Sequence, residues 1–374
     1  MTCDYLALAV PGVRDLHPYK PGKPESELRR EYGLSDIVKL ASNENPLGAS
    51  PKALAAVREA LDSLARYPDG NGFELKKALS ARLDVPMAAL TLGNGSNDVL
   101  ELIARAFLTS QHEAVFSEYA FAVYPLVTQA VGATARVAKA NPADHVMPYG
   151  HNLAAMQALI GERTRIVFIA NPNNPTGTWL KTNELETFLA AVPEQVLVVL
   201  DEAYFEYVDA TADCPNALYW LNRFPNLVVT RTFSKAYGLA GLRVGYAVSQ
   251  PTIADVLNRV RQPFNVNSLA LVAATAALED DDYLAKSQAM SRVGIQQLQQ
   301  ACRRLGLNCL PSMGNFLCVD VGRPGQEVFL ALLRQGVIVR PVDNYGLPHF
   351  LRISVGSEPE NARLIEALDV VLGV

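Results

Sequence analysis

The segment Val196-Leu197-Val198-Val199-Leu200-Asp201-Glu202-Ala203-Tyr204 puts five consecutive apolar residues directly before two carboxylates. A run apolar at every position, and short, suits a strand buried on both faces rather than one with a wet side. Runs of the same texture occur at 165–170, 227–230 and 244–248. Helical periods alternate with them, at 51–65 (Ser50 as N-cap, Pro51 in the first turn) and at 97–107. The pattern predicts an α/β fold with a mostly parallel central sheet and helices on both faces.

Beyond residue 265 the texture changes. A helical stretch over 268–305 leads to strand-like pieces at 316–321, 337–340 and 350–355, with helices at 326–335 and from 359 onward. This predicts a smaller α+β domain. The first 50 residues are broken by Pro11, Gly12, Pro18, Pro21, Gly22, Pro24 and Pro46, and are expected to form an extended arm that gains order by lying on the rest. The expected division is an arm at 1–50, a large domain at 51–265 and a small C-terminal domain at 266–374.

The 374 residues are 49% apolar and 19% charged, which excludes a disordered or fibrous chain. The net charge of −5, with no basic block, gives no electrostatic reason to expect nucleic acid as a partner. No run of 18 apolar residues is present, so no membrane span is expected. Cys3, Cys214, Cys302, Cys309 and Cys318 are scattered and the five histidines lack ligand spacing, so neither a disulfide framework nor a metal site is expected. The N-terminal stretch lacks the basic region and cleavage site of a secretory signal, and the expected location is the cytoplasm.

Four places after strand-like runs carry polar groups, where open α/β sheets place ligands. Gly93-Asn94-Gly95-Ser96-Asn97-Asp98 is a glycine turn opening a helix, and offers backbone N–H groups to an anion; its plainer reading is a capped turn. Asn171-Pro172-Asn173-Asn174-Pro175-Thr176-Gly177 fixes two carboxamides, or is simply a rigid loop. Asp201 needs a partner once buried, which a ligand or a structural ion pair could supply. Between Arg231 and Tyr246, Thr232, Ser234, Lys235 and Arg243 stand among small and apolar residues. Hydroxyls with an arginine suit a phosphate, and a lysine in apolar surroundings suits a nucleophilic amine. A single ligand satisfies all four: one with a phosphate, an aldehyde and a ring nitrogen, as in pyridoxal phosphate.

With these motifs in this order, the sequence resembles the fold-type I pyridoxal-phosphate aminotransferases, and within them the histidinol-phosphate aminotransferase subfamily. The likeness runs from Leu40-Ala41-Ser42-Asn43-Glu44-Asn45-Pro46-Leu47-Gly48 through the segments above and Arg261–Asn267 to Leu351-Arg352-Ile353-Ser354. It implies that Lys235 anchors the cofactor and shuttles a proton, that Asp201 pairs with the ring nitrogen, and that Asn174 and Tyr204 meet the ring's 3-oxygen. It places the phosphate on Gly95, Ser96, Asn97, Thr232, Ser234 and Arg243, and stacks Tyr119 on the ring. Tyr67 is implied to reach the phosphate from a neighbouring copy, making a homodimer. Arg352 is implied to grip an α-carboxylate, and Tyr19 and Arg340 the phosphate end of histidinol phosphate. The implied reaction interconverts histidinol phosphate plus 2-oxoglutarate with imidazole acetol phosphate plus glutamate, in histidine biosynthesis. Relatives that transaminate aromatic amino acids, or decarboxylate phosphorylated amino acids on the same fold, are the alternatives. Two departures stand out: Asn97-Asp98 replaces the family's Asp-Glu, and Ser117-Glu118 replaces the Pro-Thr before the tyrosine.

Overall fold

The computed structural model describes residues 3–19 and 21–373. Seven strands form the larger sheet: β1 (Leu90–Gly93), β2 (Glu113–Ser117), β3 (Thr134–Ala138), β4 (Thr164–Ala170), β5 (Leu197–Asp201), β6 (Leu227–Thr232) and β7 (Gly245–Ser249). Their order is β1-β7-β6-β5-β4-β2-β3. β7 runs antiparallel to both its neighbours, and the remaining pairings are parallel. β5 shows why its sequence is apolar at every position. Val198 and Leu200 enter the core on one face, Val199 enters the core on the other, and all three are fully buried. At roughly 1.5–3 kcal/mol for each buried aliphatic side chain, such two-sided strands hold the sheet between its helical layers.

A second, antiparallel sheet holds β8 (Asn308–Cys309), β9 (Phe316–Asp320), β10 (Arg340–Pro341) and β11 (Phe350–Ser354), in the order β10-β11-β9-β8. Leu317, Val319, Leu351 and Ile353 form its core with Leu298, Val328, Leu332 and Leu364 from three helices. The helical stretch expected over 268–305 is two helices, Ser268–Leu278 and Asp281–Arg304, because the Asp280 carboxylate caps the second one at the Tyr283 amide. The helix expected over 51–65 ends at Ala60 and tightens into a 3-10 turn at Leu61–Ser63.

The N-terminal segment is more regular than its prolines suggest. It holds helices at Tyr5–Leu8, Pro11–Arg14 and Glu25–Tyr32, with Pro11 in a first turn and Pro24 as a cap, positions where a missing N–H costs nothing. Val38–Lys39 then pairs parallel to Val337–Ile338, and Leu28 is buried against Ala41, Leu333 and Ile338. Ordering by docking is thus achieved through a strand pair and an apolar contact. No helix among the described residues is long and apolar enough to cross a membrane.

Gly238, three residues past Lys235, has a left-handed φ of 69°, and a Cβ there would lie 1.9 Å from the Gly48 carbonyl oxygen, which also accepts the Tyr283 hydroxyl. Gly33 has nearly the same φ, 68°, with nothing near the Cβ position. Gly33→Ala is therefore expected to cost about 1 kcal/mol of backbone strain, and Gly238→Ala more than ~2 kcal/mol because the 44–48 segment must also move. Denaturant melts of the two variants check this; equal losses would refute it.

Candidate active site

The C-terminal ends of β4, β5 and β6, the start of helix Ser96–Phe107 and strand β11 surround a cavity of about 330 Å³. Its walls include Tyr19, Ser96, Asn97, Asn174, Asp201, Tyr204, Thr232, Ser234, Lys235, Arg243, Arg340 and Arg352, twelve of the residues singled out in the sequence.

At one end is an anion corner. Helix Ser96–Phe107 begins at Gly95 (φ 83°) without a side-chain cap, so its first N–H groups remain to be satisfied. Thr232 and Ser234 add hydroxyls, and Arg243 sits against Ser234 Oγ at 3.3 Å. A Cβ at Gly95 would fall 2.4 Å from the Arg243 guanidinium, so only glycine lets the arginine lie over this turn. Asp98, one of the departures, turns away from this corner and accepts from the Asn94 amide and Asn265, each at 2.8 Å. The segment 261–267 therefore braces the turn from behind, and Arg261 also reaches the Gly70 carbonyl at 2.8 Å.

In the middle, Lys235 donates to the Ser42 carbonyl at 3.1 Å, with its nitrogen 5.6 Å from the centre of the Tyr204 ring. Desolvation, reinforced by Arg352 and Arg243, lowers its pKa to about 8, so a usable fraction is the neutral amine near neutral pH. Asp201 is 3% exposed. Burial pushes its pKa up to about 6, against the downward pull of hydrogen bonds from Tyr124, Thr230 and the Ala203 amide. The Tyr204 hydroxyl accepts from Asn43 Nδ2 at 2.8 Å, and burial raises its pKa to about 12, so it remains a proton donor.

On the far side, Arg352 is 8% exposed and donates to Asn174 Oδ1 at 2.7 Å and the Ala41 carbonyl at 2.6 Å, while its Nε is buried without a partner. A buried guanidinium with an unmet donor is a seat prepared for a carboxylate. With its oxygen engaged by Arg352, Asn174 keeps its NH2 for a ligand. Asn173 donates instead to the Tyr119 carbonyl across the fold and to Thr176 within its own loop. At the rim, the guanidinium of Arg340 lies 5.9 Å from the Tyr19 ring centre.

One expected site residue stands elsewhere. Tyr119 does not line the cavity; its ring packs edge-on to Tyr149, and Phe121 occupies the wall instead. Ser117-Glu118, standing where the family has Pro-Thr before its tyrosine, marks this stretch as departing from the family pattern. Tyr67, expected to serve the site of a neighbouring copy, is 83% exposed, stacks on Phe264 at 4.7 Å and is not part of this cavity's lining. Sequence reading gave no role to Asn43, Tyr124 and Thr230, which hold Tyr204 and Asp201; nothing in their spacing marks them, because each acts through a fold-level contact.

The donor set suits a phosphorylated ring with an aldehyde and a basic nitrogen. A family profile described as aminotransferase class I and II matches residues 35–368. The chain belongs to the class I and II aminotransferases. It is 61% identical over all 374 residues to histidinol-phosphate aminotransferase 2 of Pseudomonas fluorescens (strain Pf0-1), covering 99% of that protein. It is 56% identical to histidinol-phosphate aminotransferase 1 of Nitrosococcus oceani, over 98% of each chain. The crystal structure of histidinol-phosphate aminotransferase from Sinorhizobium meliloti in complex with pyridoxal-5'-phosphate superposes with a TM-score of 0.88 at 30% identity, over 97% of each chain. The expected fold-type I α/β architecture thus holds for this aminotransferase.

A carboxylate raised from 3.8 to about 6 stabilises the fold only when protonated: its contribution is complete below pH ~4 and lost as pH rises through 6. Asp201→Asn apoprotein is therefore expected to be more stable than wild-type apoprotein at pH 8, by on the order of 2 kcal/mol. That advantage should shrink toward pH 5. Urea melts at the two pH values test it, and a less stable variant at pH 8 would refute it.

Proposed function

We propose that this chain is a pyridoxal-phosphate-dependent transaminase that interconverts histidinol phosphate plus 2-oxoglutarate with imidazole acetol phosphate plus glutamate, in histidine biosynthesis. The observation that carries this reading is the joining, in one cavity, of a depressed lysine, a buried carboxylate, an anion corner and two further arginines. The full-length identity of 61% to a histidinol-phosphate aminotransferase supports the substrate choice.

In this reading Ser96, Asn97, Thr232, Ser234 and Arg243, with the Gly95 turn, hold the cofactor's phosphate. Pyridoxal phosphate supplies an aldehyde carbon that captures amines and a protonated ring that withdraws electrons. Asp201 would keep the proton on the ring nitrogen, Asn174 and Tyr204 would meet the 3-oxygen, and Phe121 would take the ring-face place expected of Tyr119. Lys235 would anchor the cofactor and, as a free amine, take and return the substrate's Cα proton; its lowered pKa suits that exchange. Arg352 fixes the α-carboxylate of the amino acid or keto acid, using the Nε that has no partner. Tyr19 and Arg340 orient the phosphate end of histidinol phosphate. Closing the arm segment 41–43 over Lys235 excludes water from the reacting atoms.

A homodimer completes the proposal. Tyr67 and Phe264 are exposed as a stacked pair, with exposed Leu61, Leu64 and Phe73 nearby in sequence, a surface suited to a second copy whose site Tyr67 would reach. The proposed division remains an arm at 1–50, a cofactor-holding domain at 51–265 and a C-terminal domain at 266–374, working in the cytoplasm on small molecules.

The decisive measurement follows the cofactor's absorbance in single half-reactions with histidinol phosphate, glutamate, phenylalanine and tyrosine. Histidinol phosphate and glutamate are expected to convert it fastest. A preference of tenfold or more for phenylalanine or tyrosine, about 1.4 kcal/mol in transition-state binding, would move the assignment to an aromatic aminotransferase. Release of carbon dioxide without a keto acid would indicate decarboxylation. Lys235→Ala should lose the borohydride-reducible cofactor adduct and at least about 10³-fold of the rate; an adduct that persists would show that another residue is the anchor.

A further inference from the structure

Tyr124 lies in the first turn of helix Val123–Ala130 and is fully buried. Its ring is stacked on Phe168 at 4.9 Å with an interplanar angle of 7°, and Phe121, on the cavity wall, packs edge-on against it at 5.8 Å. The phenol reaches past the ring-facing Phe121 to donate to Asp201 Oδ2 at 3.0 Å. Thr230, on the neighbouring strand, donates to Oδ1 at 3.1 Å. Both oxygens of a carboxylate at the end of a buried strand are therefore held by neutral hydroxyls, one from the helix after β2 and one from β6.

We propose that Tyr124 is a positioning residue for the ring-nitrogen pair, its hydroxyl holding Asp201 ionised and aimed into the cavity. The inference rests on the reading of the site as a pyridoxal phosphate site. A carboxylate can keep a proton on a ring nitrogen only while it is itself an anion, and burial works against that anion. The phenol must in turn remain a donor, and its own burial beside Asp201 keeps it protonated far into the alkaline range. The other charged or titratable groups about Asp201 do other work. Glu202 is committed to Arg231 at 2.6 Å, Tyr204 is held by Asn43, and Lys235 is engaged by the Ser42 carbonyl. Phe121 and Tyr124, three residues apart, thus place the cofactor's ring face and its nitrogen partner from one turn of chain.

Tyr124→Phe deletes the hydroxyl and keeps the stacked ring. Without that donor Asp201 protonates at a higher pH, so the anion is scarce at pH 6.5 and abundant at pH 9. The test measures the dissociation constant of pyridoxal phosphate from wild-type and Y124F apoprotein at both pH values, with thermal melts to establish that the variant is folded. The variant is expected to bind about tenfold more weakly than wild type at pH 6.5 and to close most of that gap at pH 9. In the holoenzyme kcat should fall about tenfold while KM stays within twofold. Thr230→Val, which removes the other hydroxyl, should shift binding in the same direction. An unchanged dissociation constant for Y124F, a weakening equal at both pH values, or an effect of T230V alone would overturn the proposal. If wild-type protein itself does not bind pyridoxal phosphate, the reading of the site fails and not this role alone.

Discussion

A carboxylate at the end of a strand buried on both faces is the constraint around which this molecule is arranged. Asp201 could be dismissed to solvent only by shortening β5, and β5 is central to the sheet. The charge is therefore accommodated by hydroxyls from two neighbouring elements. The adjacent Glu202 meets the same problem differently. It is buried, and it is neutralised permanently by Arg231, whose guanidinium also stacks 3.9 Å from the Phe205 ring centre. Two consecutive acids thus divide the labour: one closes a structural ion pair, and the other is left needing a partner that arrives from outside.

The second constraint is electrostatic crowding about Lys235. Arg352 and Arg243 both disfavour its charge. Gathering three cations about one small cavity costs stability when no anion is bound, a strain common at functional sites. The Asn174 oxygen, the Ser42 and Ala41 carbonyls and the Ser234 hydroxyl moderate it with neutral dipoles. Neutral partners are easily exchanged for a ligand's charged oxygens, whereas resident carboxylates would compete with it.

Much of this was legible in the residues. The uniformly apolar runs gave the central strands of the larger sheet, the antiparallel β7 among them, because two-sided burial leaves no polar positions, and the cavity lies where β4, β5 and β6 end. The lysine segment was readable because its polar groups interrupt apolar surroundings, whereas Arg352 was singled out only through the family resemblance. The exposed edge strand β3 was not readable, since its outward residues hide the period that buried strands display. The split near Asp280 carried no glycine or proline, and the cap that makes it depends on one acid among four in a row. The displacement from Tyr119 to Phe121 arose because an aromatic in the expected place is a weaker marker than the wall it faces. Asn43, Tyr124 and Thr230 were silent for a different reason: each meets Tyr204 or Asp201 through a hydrogen bond across more than 25 positions of chain, and no local pattern encodes such a bond.

The arm segment over the lysine is clasped by the end of the chain. Asn43, in a left-handed conformation (φ 53°), is held by Ser354 through its amide and its side-chain oxygen, and by Asn315 through its carbonyl; Arg352 holds Ala41. Both Arg352 and Ser354 lie on β11, more than 100 residues after Lys235. During synthesis, therefore, the lysine emerges long before the strand that supplies these bonds to the segment above it. A nascent chain halted before β11 would carry Asp201 and Lys235 with the arm segment held by fewer partners, so the full enclosure of the reactive amine forms late relative to the amine itself.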